Sequence, residues 1–451
     1  LEAFRALKIR KTISTSRLFA LGFALIILLG AGLLCLPAAS KTGEGIPFIN
    51  ALFTSCSATC VTGLVVYDTW SQFTVFGQVV ILLLIQLGGL GFMTFAILIT
   101  MVTGRKISLV QRINLSEAIG AGKLGGVVKL ARRIICGTLL IEGVGAILLY
   151  FRFRTLFGVG TSIWYGVFHS ISAFCNAGFD LMGVVKPGTS LMYFVADPVV
   201  NLTVVSLILL GGIGFIVWDD VLNCRFRFRR FKLHTKIVLV FSLGIIVIPW
   251  LLFMYTERGG VYAGMTAGGR MLAALFSAVT PRTAGFNTVD TASLSEGGTL
   301  LTVILMIIGA GSGSTGGGVK ISTFAVQLLS VFAYMKGRQD VNVMERRLDQ
   351  TLCRRAFCSV LLYIGIALGA SYVISAVQPL PLKNIMFEVF SALGTVGLST
   401  GITSQLELLP KIIIILLMYA GRVGSVTVFM AVTDFRNLGA TRFPEEELII
   451  G

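Results

Sequence analysis

Apolar and polar positions follow each other along this chain in a coarse, recurring order. Apolar runs long enough to cross a bilayer occupy roughly 18–39, 73–101, 134–151, 191–218, 236–255, 299–331, 356–377 and 410–432. Within each successive pair lies a half-polar, helix-like piece, at 47–58, 162–174, 268–280 and 383–393. These pieces are too short to span, and Pro47 suits the first turn of one of them. Each runs into a glycine-bearing segment. The pattern predicts eight crossings with four re-entrant pieces between them. It divides the chain into units at 1–104, 105–224, 225–340 and 341–432, with a tail at 433–451.

The glycine segments are alike: SATCVTGL ending at Leu64, SAFCNAGF at Phe179, SAVTPRTAGF at Phe286 and SALGTVGL at Leu398. Their glycines, Gly63, Gly178, Gly285 and Gly397, recur at intervals of 115, 107 and 112 residues. Ser57, Ser172 and Ser391 stand at one offset before the glycine, whereas two extra residues follow Ser277. Self-similarity at a fixed period decides architecture. The expected fold is all-α and integral to the membrane. It has four tandem M1-P-M2 units (helix, re-entrant pore helix and filter loop, helix) around one pseudo-fourfold pore.

Composition agrees. The chain is 55% hydrophobic and 13% charged, with a mean hydropathy of +0.89, so its solvent is a bilayer. The net charge of +16 does not point to nucleic acid, because the basic residues cluster between apolar spans. Four groups, at 5–17, 105–133, 225–236 and 336–355, hold 24 of the 37 Lys and Arg. All fall on one side of an eight-span arrangement, which is therefore the cytoplasm, with both termini there. Arg152 and Arg154 are exceptions on the outer side. No cleavable leader is expected. The eight cysteines form no C-x-x-C pair and read as small hydrophobes. His169 and His234 have no second metal-ligand type at ligand spacing, so no zinc site is supported.

Non-helical backbone at membrane depth belongs where it lines a cavity or is covered by protein. Carbonyls aimed at a common axis hold a dehydrated cation without fixed charge, and glycine lets the backbone approach closely. The candidate filter is Thr59, Cys60, Val61, Thr62 and Gly63; Cys175, Asn176, Ala177 and Gly178; Arg282, Thr283, Ala284 and Gly285; and Gly394, Thr395, Val396 and Gly397. K+ is expected on their backbone carbonyls. Asp68, Asp180 and Asp290 follow the glycines and read either as an outer collar of carboxylates or as loop caps.

The second crossings echo one another at Gly88–Gly91, Gly211–Gly214 and Gly421–Gly424. The plain pair reads as tight packing of small residues. The others break the pattern. Arg422 is a mid-span cation that must find acceptors, at a cost of roughly 2.5–3.5 kcal/mol otherwise. The run Gly309, Ala310, Gly311, Ser312, Gly313, Ser314, Thr315, Gly316, Gly317 and Gly318 cannot stay helical, so it reads as an intramembrane plug. It lacks the Gly-Lys-Ser/Thr of a phosphate-binding loop. Glu142 is expected to pair with Arg132 or Arg133.

These residues resemble the superfamily of K+ transporters that includes the Trk, Ktr and plant HKT proteins. The resemblance rests on VTGL, CNAGF, RTAGFNT, GTVGL, the 309–318 run and Arg422, and covers nearly the whole chain. Compact loops bring it closest to the bacterial KtrB-type membrane subunit. It implies K+ uptake driven by the membrane potential in a bacterial cytoplasmic membrane, without enzyme chemistry. It also implies one filter glycine per loop, a gate at 309–318 with Arg422, and a homodimer. A separate KtrA-like cytosolic RCK ring would carry the nucleotide, often with dependence on Na+; no covalent cofactor is implied. Gly63, where some plant members carry serine, favours K+ over Na+. Ser425 departs from the proline of several relatives. Two other readings are a Na+- or H+-coupled K+ symporter and a non-conducting membrane subunit of a sodium ATPase. The scarcity of intramembrane carboxylates counts against the first, and the four intact loops count against the second.

Overall fold

The computed structural model describes residues 15–91 and 126–424. The helices are α1 (Thr15–Leu34), α2 (Phe48–Thr59), α3 (Val75–Leu90), α4 (Val127–Phe153), α5 (Val159–Phe174), α6 (Pro198–Gly212), α7 (Phe215–Asn223), α8 (Leu233–Thr256), α9 (Ala267–Val279), α10 (Glu296–Ile307), α11 (Ile321–Met335), α12 (Gln350–Val377), α13 (Leu382–Gly394) and α14 (Leu408–Val423). Ser425 and the 433–451 tail lie outside the described residues, as does most of the 105–133 basic linker.

Among the described residues, four helices are long and apolar enough to cross a bilayer alone: α1 from Arg17, α4, α8 and α12. They leave Leu25, Leu140, Phe151, Leu243, Ile248 and Leu361 exposed. Such apolar outer surface, with backbone groups paired inside each helix, is what lipid requires. The four short helices α2, α5, α9 and α13 instead bury most of their residues, in their C-terminal halves above all.

Packing closes a circuit. Each long helix packs on the short helix that follows it, α1 on α2, α4 on α5, α8 on α9 and α12 on α13. The next helix along then packs against the short helix of the following unit: α3 on α5, α6 on α9, α10 on α13 and α14 back on α2.

Local chemistry sets the helix starts. Thr74 accepts the Gly77 N–H at 3.4 Å, Asp197 caps α6 just before Pro198, and Ser295 accepts the Gly298 N–H at 3.0 Å. Such caps satisfy donors that have no intrahelical partner. Pro47 is the cap residue of α2 rather than part of its first turn.

Three expectations are corrected. The run 191–218 is not one helix: a short turn at Met192–Phe194 precedes α6, and the helix breaks at Gly214, where α7 leaves at 91°. Gly214 has φ +105, and an added Cβ there would meet the Ser312 carbonyl, so the break is built for a neighbouring backbone. The run 299–331 is interrupted from Ile308 to Lys320, wider than 309–318. Glu142 does not pair with Arg132 or Arg133. Its carboxylate accepts from Gln86 Nε2 at 3.2 Å, and Arg133, near the start of α4, pairs with Asp219 of α7.

Gly166 on α5 shows how tightly these helices meet. A Cβ there would stand 2.7 Å from the Ala146 carbonyl and 3.2 Å from the Tyr150 nitrogen of α4, both backbone atoms. Gly166→Val should therefore lower the thermal midpoint in detergent through a cost of roughly 1–3 kcal/mol. Gly143→Ala on α4, where a Cβ meets nothing within 4 Å, should leave it unchanged. Equal midpoints for the two variants would contradict this packing.

Candidate functional site

The four short helices end in the same way. In three of them the chain closes with paired backbone bonds that run back into the last turn. At α2, Val61 N–H donates to Ala58 O at 3.2 Å and Thr62 N–H to Ser57 O at 2.8 Å. Asn176 to Ala173 and Ala177 to Ser172 repeat this at α5, and Thr395 to Ala392 and Val396 to Ser391 repeat it at α13. The motif requires a left-handed residue just past the helix, usually glycine. Here it is Val61 (φ 56), Asn176 (φ 59) and Thr395 (φ 50). At α9 the two extra residues change the spacing, so that Ala284 N–H donates to Thr280 O at 3.0 Å; Thr283 (φ 66) still takes the left-handed position. Three of these four residues are β-branched, for which that conformation costs roughly 1–3 kcal/mol each.

Two residues on, Gly63, Gly178, Gly285 and Gly397 have φ of +95, +71, +79 and +89. They form a closed ring. A Cβ on Gly63 would stand 2.6 Å from the Ala177 carbonyl oxygen, one on Gly178 2.8 Å from that of Ala284, and one on Gly285 2.7 Å from that of Val396. One on Gly397 would collide with the Thr62 carbonyl. The residue before each glycine thus offers its carbonyl to the neighbouring loop. Hydroxyls hold the loops from behind. Ser57 and Ser391 each accept the N–H of their own ring glycine at 3.1 Å. Ser172 donates to Phe179 O at 2.7 Å. At α9 it is Thr280 that donates to Phe286 O, while Ser277 binds the Tyr262 hydroxyl at 2.9 Å.

The remaining candidate residues divide between backbone and support. The Cys60 sulfur lies 3.7 Å from that of Cys56, and Cys175 reaches Gln86 at 3.5 Å. The Arg282 side chain reaches Ser242 on α8 at 3.5 Å. These side chains pack on neighbouring helices and do not extend the ring.

On one side of the ring a cavity of about 320 Å³ is lined by all four ring glycines and by Asp68, Asp180 and Asp290. All three acids accept hydrogen bonds from nearby backbone. Asp68 caps a turn through Ser71 N–H at 2.8 Å and ties down Gly188 N–H at 3.3 Å. Asp180 accepts from Met182 N–H at 2.9 Å and Asp290 from Ala292 N–H at 3.1 Å. All three are caps and all three line the cavity. Burial, then the nearby Asp68 carboxylate, push Asp180 up to about 7.

On the opposite side the 308–320 segment lies against the ring loops. A Cβ on Gly316 would strike Thr283 Oγ1, and one on Gly317 would strike Thr395 Oγ1. The segment is bonded to the broken helix beside it. Gly311 N–H donates to Gly212 O at 2.7 Å, Thr315 N–H to Gly211 O at 3.3 Å, and Phe215 N–H to Gly313 O at 2.8 Å. Arg422 donates to Thr315 O, to Gly88 O and, at 3.1 Å, to Gly89 O. Its guanidinium therefore fastens the segment to the end of α3. Gly88 and Gly89, expected only as packing residues, also supply these acceptors.

Lys320 was not singled out in the sequence. Its ammonium donates to Gly316 O at 2.7 Å and to Gly317 O at 3.4 Å. Three consecutive carbonyls, 315 to 317, thus face two side-chain cations. The signal was present: a cation inside an apolar span is a functional mark by default.

Comparison with known proteins identifies the family. The family model described as "TrkH: Cation transport protein" matches residues 31–437. The chain belongs to this family. It is 42% identical over 439 residues to the Ktr system potassium uptake protein B of Bacillus subtilis (strain 168), covering 96% of each chain. It is 39% identical to the potassium/sodium uptake protein NtpJ of Enterococcus hirae, covering 98% of this chain and 99% of that one. The crystal structure of the potassium transporter TrkH from Vibrio parahaemolyticus shares its fold, with a TM-score of 0.74 at 19% identity, over 94% of this chain and 86% of that one.

The raised Asp180 carboxyl gives a direct check. It should be protonated below about pH 7 and ionised above, so the cavity gains a negative charge as pH rises. Part of the infrared absorption of protonated carboxyls should fade as pH rises through that value, and that part should be missing from Asp180→Asn. A band that persists unchanged in the variant would assign the titration elsewhere.

Proposed function

We propose that this chain takes up K+ across a bacterial cytoplasmic membrane through a channel-like path, driven by the membrane potential. The observation that carries the reading is the closed ring of four glycine loops, with carbonyls offered from loop to loop. An acidic cavity lies on one side and a cation-clamped loop on the other. The potential supplies about 2.3 kcal/mol per charge per 100 mV, so net accumulation needs no hydrolysis. The names of the Ktr and NtpJ relatives support potassium as the ion.

In this reading the chain forms four M1-P-M2 units, 1–104, 105–224, 225–340 and 341–432, with eight crossings around one pore and both termini cytoplasmic. Carbonyls of the residues from Thr59 to Gly63 and of their counterparts replace water around the ion. The four short helices direct their partly negative C-terminal ends towards it. Asp68, Asp180 and Asp290 concentrate cations at the outer mouth. The 308–320 segment closes the path below the filter, with Arg422 and Lys320 as its clamps. Two copies of the chain on a cytosolic RCK-type ring that binds nucleotide would control it. The name of the NtpJ relative favours one second reading, in which Na+ shares or assists the path.

Purified protein in liposomes should pass K+ and Rb+ much faster than Na+, and Gly63→Ser should narrow that ratio. Equal K+ and Na+ flux through the wild type would sink the filter reading, and an unchanged ratio in the variant would take Gly63 out of the ion path.

Removing the clamp should open the path. Arg422→Ala, or deletion of Ser312 to Gly317, should raise basal K+ flux several-fold while leaving the K+ to Na+ ratio intact. A fall in flux, or a shifted reversal potential, would show that these residues do not gate.

A further inference from the structure

Three residues before the Ser-Ala pair of each glycine segment stand Thr54, His169, Ala274 and Glu388. All four are buried. Thr54 turns its hydroxyl back on its own helix, to Asn50 O at 3.0 Å. His169 and Glu388 reach forward, past the filter. His169 Nε2 accepts the Leu181 N–H at 3.2 Å. Glu388, 1% exposed, accepts the Thr403 hydroxyl through Oε1. Thr403 and Ser399 are 3.0 Å apart and both line the outer cavity. Ser399 is joined in turn to the Asp290 loop, since its carbonyl accepts the Thr291 hydroxyl. The other carboxylate oxygen of Glu388 has no partner. This acid therefore sits one hydroxyl behind the cavity wall.

Among the described residues no counter-charge is bonded to it. On α10, Glu296 pairs with Lys383 at 2.7 Å. On α12, the Tyr363 hydroxyl lies beside Gly394. On α14, Lys411 bonds Asn50 at 3.3 Å and Arg422 is held by carbonyls. Glu407 follows Thr403 in the outer segment, and its N–H donates to Gln378. A buried carboxylate without a counter-charge is costly unless it holds a proton or a cation comes near it. Here the place a cation can come is the outer cavity.

We propose that Glu388 sets the affinity of the outer mouth for K+, acting through Thr403 and Ser399. This rests on the conduction reading above. A cation in the cavity favours the ionised acid, and by linkage the ionised acid favours the cation. Protons then compete with K+ at this residue, so acid outside weakens K+ entry. Asp180, Asp68 and Asp290 share the cavity, and Asp180 contributes a pH dependence of its own that the test must separate.

K+ uptake by the full-length protein in liposomes, with external K+ and pH varied, tests this. Glu388→Gln keeps the acceptor for Thr403 and removes only the charge. It should raise KM for external K+ about tenfold, the low end of what charged clefts achieve, with Vmax within about twofold. Glu388→Asp should recover most of the affinity. The pH dependence of KM that survives in Asp180→Asn should disappear when Glu388→Gln is added. Thr403→Val should raise KM in the same direction, and it decides the matter alone if the Gln variant does not fold. A wild-type KM in Glu388→Gln or, failing that variant, in Thr403→Val, would overturn the proposal. So would loss of Vmax at unchanged KM. A wild type that passes no K+ would overturn the conduction reading, and this inference with it.

Discussion

A carbonyl oxygen rests where each ring glycine would otherwise carry a side chain. That contact, made four times around a closed circuit, is the constraint on which the rest of the molecule depends. It forces glycine at four places, since any Cβ would strike backbone that cannot turn aside. It also needs the short helices to stop at matched heights. That is achieved by left-handed residues at Val61, Asn176, Thr283 and Thr395. The strain at the three β-branched positions persists because hydroxyls and backbone bonds behind each loop leave it no other course. The helix-to-helix circuit outside the ring, from α3 on α5 round to α14 on α2, keeps the loops from parting.

Within that symmetric frame the four units are chemically unequal. The third contributes the 308–320 segment and the fourth contributes Arg422. The first receives Arg422 through the Gly88 and Gly89 carbonyls, and the second carries the broken helix against which the segment lies. The contacts below the ring thus involve all four units in different roles. Behind the ring the same inequality appears as Thr54, His169, Ala274 and Glu388 at one shared position. The ring repeats fourfold, and the contacts on either side of it do not.

Much of this was legible in the sequence. The apolar runs and the glycine period gave the long helices, the short ones and the ring residues, because both signals are local and repeated. The interruption of 299–331 was legible because glycine cannot hold a helix there. Other features depended on distant partners. The 91° break at Gly214 looks like its neighbours Gly211 and Gly212, and only the Ser312 carbonyl explains it. The partner of Glu142 was misjudged because charge complementarity suggested nearby arginines, whereas the fold brings Gln86 to it. Lys320 was passed over once its glycine run failed to match a phosphate loop. Thr280 was hidden by the two-residue insertion that moves the hydroxyl role away from Ser277.

The broken helix carries a mechanical consequence. The backbone from Gly311 to Thr315 is bonded to Gly211, Gly212 and Phe215, on both sides of the bend between α6 and α7. The shape of that bend therefore sets where the segment lies. α7 is thus a crank whose outer end, packed on α8, leads into the basic turn at Arg225 to Arg230. Arg225 to Arg230 therefore connect to the 308–320 segment through one short helix.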